Sequence, residues 1–320
     1  MLDLNAENTV FRRYNTAVVV TFVIIVFIAL AAASLRYYSE LTTHKQQGLS
    51  QLSAQAYQLN TMLRQSEQAI SGIQEFAHYV LKYPHELNTD LAQLKQSGEH
   101  YYLDKPRIDI LDQDKLISGN ITGIGNVSQF SELKSQEIAM ANALTPAFVA
   151  AQKVIEEATW FYYVSLEQFV SIFPWIDRES WHFSNRMLTN SHTQKIQQLD
   201  YNNNHVIWSS PYIDAAGKGM NAALGIGVYR AKQLLGAVVI DINLARLQQS
   251  LPELDTNDQG LVLFNQNNEI LFFKQKGKEP LTYRAAWQKL LPQGLNQLTS
   301  QKLANLDDST QIGDWLVENQ

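Results

Sequence analysis

A run of nineteen residues without a charge, from Ala17 to Leu35, lies close to the N-terminus of this chain. As a helix rising about 1.5 Å per residue, this run would span about 28 Å, close to the hydrocarbon thickness of a bilayer. Arg12 and Arg13 come just before it, and positive residues that flank a span favour the cytoplasmic side. The sequence therefore predicts one transmembrane helix, with residues 1–16 in the cytoplasm and the chain after the span outside it.

A cleaved signal peptide is the alternative, because Ala31–Ser34 offers the small residues that a signal peptidase accepts. The apolar core of a signal peptide is about 7–15 residues long, and this run is longer. We therefore expect an uncleaved anchor. The sequence contains no cysteine, which suits an oxidising compartment such as the bacterial periplasm.

Composition excludes several classes of function. Without cysteine the chain forms no disulfide, no thiolate zinc site and no cysteine nucleophile. The formal net charge is −6 and no basic run is present, so we expect no nucleic-acid partner.

Three short segments approach known motifs, and each lacks a residue that the chemistry needs. "DAAGKGMN" has no serine or threonine after Lys218, where a phosphate loop needs a hydroxyl for magnesium. "HELNT" at His85 lacks the second histidine of a zinc helix, and Asp112 with Asp114 lack the glycine and glutamate of a calcium loop. We therefore expect no catalytic site, no metal and no cofactor in this chain.

A long helical pattern without proline covers residues 36–83. Positions three and four residues apart are apolar along it, and only Ser66 interrupts the series: Leu49, Leu52, Ala56, Leu59, Leu63, Ser66, Ile70, Ile73, Ala77 and Val80. A heptad seam of this kind predicts a stalk helix that pairs with its copy in a homodimer. An ordinary amphipathic helix in a monomer is the alternative.

The remainder of the chain shows strands that follow strands, with few helices. Ser135–Ala158 has helical period with a bend expected near Pro146, and another helix is predicted from Leu244. Apolar and β-branched pairs predict three hairpins: residues 159–175, residues 220–243 with a turn near Ala231–Gln233, and Gly260–Phe273 with a turn through Gln266–Asn268. The predicted fold class is α+β with antiparallel sheets.

Aromatic and charged side chains cluster around these hairpins, as in a pocket for a small polar ligand. The candidate binding residues are Trp175, Arg178, Trp181, Arg186, Tyr212, Asp214, Tyr229 and Asp241, with His182 among them in the sequence. The carboxylates of Asp214 and Asp241 are expected to be solvated and to lie on neighbouring strands. The alternative is that the tryptophans belong to the core and that Asp241 caps the helix from Leu244.

Two segments carry a resemblance to a known family: "PYIDAAGKGM…GVY…LLGAVVIDINLARL" and the hairpin "FYYVSLEQFVSIFPW". They resemble the double Cache sensor domains of bacterial transmembrane receptors, most of all those attached to diguanylate cyclases of the GGDEF type. The resemblance implies an inner-membrane anchor at residues 17–35, a stalk at 36–83, and two PAS-like modules in the periplasm. The membrane-distal module would cover residues 84–250, and a partial membrane-proximal module residues 251–320.

The resemblance also implies a ligand class and an output. In relatives that bind amines or amino acids, a Tyr-x-Asp pair and a later aspartate hold the ammonium group, and Tyr212, Asp214 and Asp241 match these positions. "DRESWHF" spaces Arg178 and Trp181 differently from the family's carboxylate-binding element. The expected function is the sensory part of a cyclase that makes cyclic di-GMP. The alternatives are the input domain of a histidine kinase or chemoreceptor, or a membrane-tethered scaffold without a ligand. No second apolar span follows, so a fragment or a truncated product is expected.

Overall fold

The structure is a computed structural model of the chain, and it describes residues 4–83, 93–104, 118–252, 260–264, 270–275, 309–312 and 315–318. Its contacts divide the chain into two units, residues 1–56 and residues 57–319. The motifs at His85, Asp112 and Asp114, and the turn at Gln266–Asn268, lie outside the described residues.

The first unit is helical. Helix α1 begins at Leu4 and ends at Lys82, and its apolar side chains near the N-terminus are exposed, with Phe22 at 66% and Phe27 at 70%. In the part of the chain that the structure describes, α1 is the one helix long and apolar enough to cross a membrane, and an 18-residue stretch of it has a mean hydropathy of 3.0. The predicted apolar helix is confirmed. A signal sequence near an N-terminus can pass the same test, so the uncleaved anchor stays a prediction.

The second unit is built on an antiparallel sheet, and the predicted α+β class is confirmed. Nine of the described strands form it in the order β1-β2-β3-β5-β4-β9-β8-β6, with β7 also beside β8. The strands are β1 Lys95–Ser97, β2 His100–Asp104, β3 Asn120–Ile124, β4 Ala158–Ser165, β5 Phe169–Phe173, β6 Ile207–Trp208, β7 Tyr212–Ile213, β8 Met220–Arg230 and β9 Gln233–Asn243.

The predicted hairpins form where local turn chemistry allows them. Strands β8 and β9 are joined through Ala231 and Lys232, both in the left-handed region with φ of 46° and 70°. Two such residues in a row match the right-handed twist of the flanking strands. The pair β4 and β5 closes through Gln168 at φ 65°. Two further described pairs lie apart from the main sheet: β10 Gly260–Phe264 with β11 Ile270–Gln275, and β12 Ser309–Ile312 with β13 Trp315–Glu318.

The helix predicted over Ser135–Ala158 is two helices, α2 Glu132–Ala143 and α3 Thr145–Gln152. The break at Leu144 confirms the bend near Pro146, since proline has no backbone N–H for the preceding turn. The predicted end is wrong, because Ala158 already belongs to β4. The other helices of the unit are short: α4 Arg186–Thr189, α5 Ser191–Gln197, α6 Leu244–Ser250, and 3-10 turns at Val127–Gln129 and Tyr201–Asn203.

Alternation along each strand divides the buried side chains between the two faces of the sheet. On β4, Phe161 and Tyr163 point to the face that α1, α2 and α3 cover, whereas Trp160 and Val164 point to the opposite face, where α4 and α5 lie. The C-terminal seam of α1 packs in the helix-covered core, with Ile70, Ile73, Ala77 and Val80 all buried.

This packing corrects one interpretation of the seam. Leu59 and Leu63 also pack against the same core, so these positions contact their own chain. A homodimer would have to use other positions of α1 in this unit, such as Tyr57, Gln68 and Tyr79, which are exposed.

Candidate ligand-binding site

A cavity of about 530 Å³ lies on the sheet face opposite α1, α2 and α3. Strands β4, β8 and β9 contribute its sheet side, and the chain between Ser180 and Ala216 supplies the remaining walls. Its aromatic and titratable lining residues are Trp160, Tyr162, Trp181, His182, Arg186, His192, Tyr212, Asp214 and Asp241.

Strand register explains the sheet side of the cavity. Asp241 of β9 lies opposite Trp160 of β4 on one side and opposite Ala223 of β8 on the other. Tyr162 is two residues beyond Trp160 and therefore shares its face. The small Ala223 side chain leaves space above β8. The sheet side of the cavity therefore combines the Asp241 carboxyl group, the rings of Trp160 and Tyr162, and the space over Ala223.

Glycine in β8 brings one wall close to the sheet. A Cβ at Gly225 would lie 2.6 Å from Ile196 and 2.8 Å from the His192 ring, so any larger residue would push α5 away. The His192 Nε2 atom is 2.9 Å from the Ile207 carbonyl oxygen, and burial lowers the pKa of this imidazole. We therefore assign His192 a structural role as a neutral donor.

The glycines around Lys218 form a turn, as the sequence predicts. Gly217 and Gly219 have φ of 79° and 96°, which favour glycine. Asp214 organises this turn, because its Oδ2 accepts the Lys218 backbone N–H at 2.9 Å and its own N–H donates to the Gly219 carbonyl at 2.8 Å. The Trp160 indole also donates to Oδ2 at 3.3 Å.

Two expectations about the carboxylates are wrong. Asp214 is only 8% exposed and Asp241 only 4%, so neither is solvated. They are not on neighbouring strands either, because β8 lies between β7, which Asp214 follows, and β9. The suggestion that Asp241 caps α6 is also wrong, since Asn243 accepts the Arg246 N–H at 3.0 Å.

The pKa of Asp241 is raised from its ordinary value. Burial, reinforced by the nearby charge of Asp214, raises its pKa to about 7, although hydrogen bonds from Tyr212 and Tyr162 oppose the shift. The Tyr162 hydroxyl donates to Oδ1 at 3.3 Å. Among the residues that the structure describes, neither Asp214 nor Asp241 has an ion-pair partner.

The rings near these acids can attract a cation. Trp160, Tyr162, Trp181 and Tyr212 line the same cavity. The face of each such ring carries negative electrostatic potential, which contributes about 0.5–2 kcal/mol to binding a positive group, depending on desolvation. Acids and ring faces together favour a small ligand with a positive charge.

Five of the eight candidate residues meet in this cavity: Trp181, Arg186, Tyr212, Asp214 and Asp241. The structure does not bring the other three there. Tyr229 donates its hydroxyl to the Leu199 carbonyl at 3.0 Å and packs on Tyr201. Arg178 lines a different cavity, and Trp175 lines neither.

Sequence reasoning missed two lining residues, Trp160 and Tyr162. Both were assigned only to a strand within "TWFYYV". Their spacing of two residues was the available signal, since it places both rings on one face, but the pattern could not show that this face borders a cavity.

No protein-family model and no curated protein matches this chain. Among solved structures, it is similar to the sensory domain of the Campylobacter jejuni chemoreceptor Tlp3 with isoleucine bound, at 16% identity and a TM-score of 0.35, covering 69% of this chain and 70% of that one. It is also similar to the ligand-binding domain of the Pseudomonas aeruginosa amino acid chemoreceptor PctC in complex with GABA, at 17% identity and a TM-score of 0.31, covering 66% and 74%.

A third similar structure is the ligand-binding domain of the Pseudomonas fluorescens chemoreceptor CtaA in complex with L-serine. The identity is 16%, the TM-score is 0.33, and the alignment covers 51% of this chain and 66% of that one. At these identities and TM-scores, the likeness assigns neither a family nor a ligand to this chain.

Proposed function

We propose that this chain is an extracytoplasmic sensor that binds a small molecule with a positively charged amino group in the larger cavity. One observation carries the proposal: two buried carboxylates, Asp214 and Asp241, share an aromatic-lined cavity and have no cationic partner among the described residues. A buried charge is costly unless it is paired or neutralised.

An ammonium group is the ligand chemistry that relieves this cost. Burial raises the pKa of Asp241, and repulsion from Asp214 adds to this shift. An ammonium group would pair with the Asp241 carboxylate and reduce that repulsion. The rings of Trp160 and Tyr212 would then replace part of the water that the cation loses on entry. A neutral or anionic group at the same place would leave the repulsion uncompensated.

Arg186 extends the proposal to ligands with a second charge. It lines the same cavity, is exposed, and has no ion-pair partner in the described ranges. A guanidinium binds a carboxylate through two parallel hydrogen bonds. A ligand with its ammonium at the aspartates and its carboxylate at Arg186 is amino-acid-like, which is the class we favour.

We expect Arg186→Gln to separate amino acids from simple amines. The variant should weaken binding of an amino acid about tenfold or more, because a charge-assisted hydrogen bond is lost, while the decarboxylated amine binds as before. Thermal shift with paired amino acids and amines, followed by calorimetry, measures this. A tight ligand at 100 times its Kd should stabilise the protein by about 2.7 kcal/mol.

Arg230→Gln is the matched control, since Arg230 donates to Gln136 and does not line the cavity. An equal loss for amines and amino acids in Arg186→Gln would contradict the assignment of Arg186. If no amine or amino acid stabilises the parent protein, the proposed function is wrong.

We also propose that α1 anchors the protein in a bacterial inner membrane, with the sensor in the periplasm and the modules divided as the resemblance implies. Homodimerisation through α1 is part of this proposal. The cyclase output stays a prediction beside the chemoreceptor alternative, and sequencing the gene downstream of residue 320 would test both.

The absence of cysteine allows a direct test of topology. In cells with a permeabilised outer membrane, we expect Gln65→Cys to react with a membrane-impermeant maleimide, because Gln65 is exposed. Asn8→Cys should react only after lysis, since the tail precedes Arg12 and Arg13 on the cytoplasmic side. Labelling of Asn8→Cys in intact cells, or its loss from the mature protein, would exclude the uncleaved anchor.

A further inference from the structure

A second cavity of about 370 Å³ lies away from the two aspartates. Strands β1, β2 and β3 line it together with the chain that follows β5. Its polar lining residues include Ser97, His100, Thr122, Arg178 and His182.

Arg178 is held in this cavity by stacking. The central carbon of its guanidinium is 3.7 Å from the centroid of the Tyr102 ring. Stacking occupies the face of the guanidinium group, whereas its N–H donors point outward from the edge and can still form hydrogen bonds. Those donors form no ion pair and no hydrogen bond with any residue in the described part of the chain, so they are available to a ligand.

The cavity also holds two imidazoles and a hydroxyl, of which His100 and Thr122 can donate to a ligand. The His100 and His182 rings meet edge to face at 5.3 Å. His182 Nδ1 lies 3.3 Å from the Arg178 carbonyl oxygen, which can only accept, so this nitrogen carries the hydrogen. Thr122 Oγ1 accepts the Phe183 N–H at 2.8 Å, and its own hydrogen is left to donate.

The charge around the cavity favours an anion. Glu179 is the one acidic residue among those lining it, and it is exposed and forms no ion pair with Arg178. The stacked guanidinium is therefore a preorganised positive group, and a planar fork of N–H donors matches the oxygens of a carboxylate or phosphate.

We propose that this second cavity is a binding site for a small oxyanion, a carboxylate or a phosphate group. Arg178 would bind it through the guanidinium edge, Tyr102 would orient Arg178, and the Thr122 hydroxyl with the His100 imidazole would supply further hydrogen bonds. His182 lines both cavities, so its ring reports on occupation of either. The site does not depend on the identity of the ligand in the larger cavity.

The test uses the full chain in detergent or nanodiscs, titrated with inorganic phosphate and with acetate at constant ionic strength, and chloride as the control anion. Calorimetry measures affinity, and imidazole NMR resonances locate the site. We expect saturable binding of at least one probe with shifts at His100 and His182. If only phosphate or only acetate binds, the result identifies which oxyanion the site accepts.

Variants assign the binding to Arg178. Arg178→Gln should weaken binding about tenfold or more, Tyr102→Leu should weaken it severalfold without changing the charge, and Arg230→Gln should leave it unchanged. If Arg178→Gln does not fold by circular dichroism, Arg178→Lys replaces it and should also bind more weakly, because lysine lacks the fork. Absence of saturable binding to both probes, or unchanged affinity in the folded Arg178 and Tyr102 variants, overturns the proposal.

Discussion

The Asp241→Asn variant is expected to bind the cationic ligand at least about 100-fold more weakly than the parent protein. Asparagine keeps the size of the side chain and an oxygen that accepts from Tyr162, which donates to Oδ1 at 3.3 Å. It removes the charge that pairs with the ligand, and loss of one partner from a buried ion pair costs about 3–5 kcal/mol, more than the 2.7 kcal/mol or so that corresponds to 100-fold. Calorimetry with the best amine or amino acid measures the change.

The unliganded variant should stay folded, because the substitution removes a buried charge that has no counterion among the described residues. Glu156→Gln at an exposed position is the matched control. Asp214 is a poorer test residue, since its carboxylate also holds the Lys218 turn. If Asp241→Asn binds the ligand with unchanged affinity, the proposed cation site is wrong.

Acidification offers a second measurement on the same site. Because the pKa of Asp241 is raised to about 7 in the unliganded protein, the carboxylate is neutral at lower pH and cannot pair with a cation. Affinity should be constant above about pH 8 and fall about tenfold for each pH step of one below 7. Asp241→Asn should lack this dependence. Affinity that rises on acidification would point to an anionic ligand instead.

We expect the second large effect from Glu137→Gln, which should raise the free energy of unfolding at pH 8 by about 3 kcal/mol. Glu137 of α2 is 1% exposed, and its Oε1 accepts hydrogen bonds from Tyr163 at 2.7 Å and from Ser165. Burial raises its pKa to about 7, with a smaller contribution from the charge of Glu167, while the two hydrogen bonds and Lys134 oppose the shift.

The direction of this change in the free energy of unfolding follows from the number of protons bound in the folded and unfolded states. In the unfolded chain Glu137 titrates near its ordinary value of 4.5, and in the folded chain near 7. Between these values the folded chain holds a proton that the unfolded chain has lost, so stability falls as pH rises through this window. The penalty is complete above 7 and absent below 4.5. Glutamine keeps an acceptor for Tyr163 and Ser165 but never carries the charge.

Denaturant unfolding of parent and variant at pH 4.5 and pH 8 measures this difference. The gain should be near zero at the lower pH and about 3 kcal/mol at the higher one, since each pKa step of one is worth about 1.36 kcal/mol. Glu156→Gln is again the control. A variant that is less stable than the parent at pH 8 would show that the ionised carboxylate stabilises the fold.

Several features of this protein could be predicted from the sequence because they depend on neighbouring residues. The apolar helix follows from nineteen consecutive uncharged residues, and the β8–β9 hairpin from two apolar runs around a short turn. The break before Pro146 follows from the proline. Helix α6 begins at Leu244 as predicted, although its cap is Asn243 and not Asp241. In each case the signal lies within one continuous stretch of the sequence.

The composition of the candidate site could be predicted only in part. Tyr212, Asp214 and Asp241 were selected by resemblance, and the structure places all three in one cavity. Trp160 and Tyr162 were missed because alternation shows that a strand has two faces and does not show which face borders a cavity.

The sequence by itself determined which segments are helix, strand and turn, and which faces are apolar. Only the tertiary structure decided what covers those faces. Ile70 and Val80 pack in the core of their own chain. Arg178 lies on the Tyr102 ring in a separate cavity. The segment that contains Arg178 is held there by contacts such as the hydrogen bond from the Phe183 N–H to Thr122. These contacts join residues more than sixty positions apart, and periodicity within one segment carries no information about the surface that segment will meet.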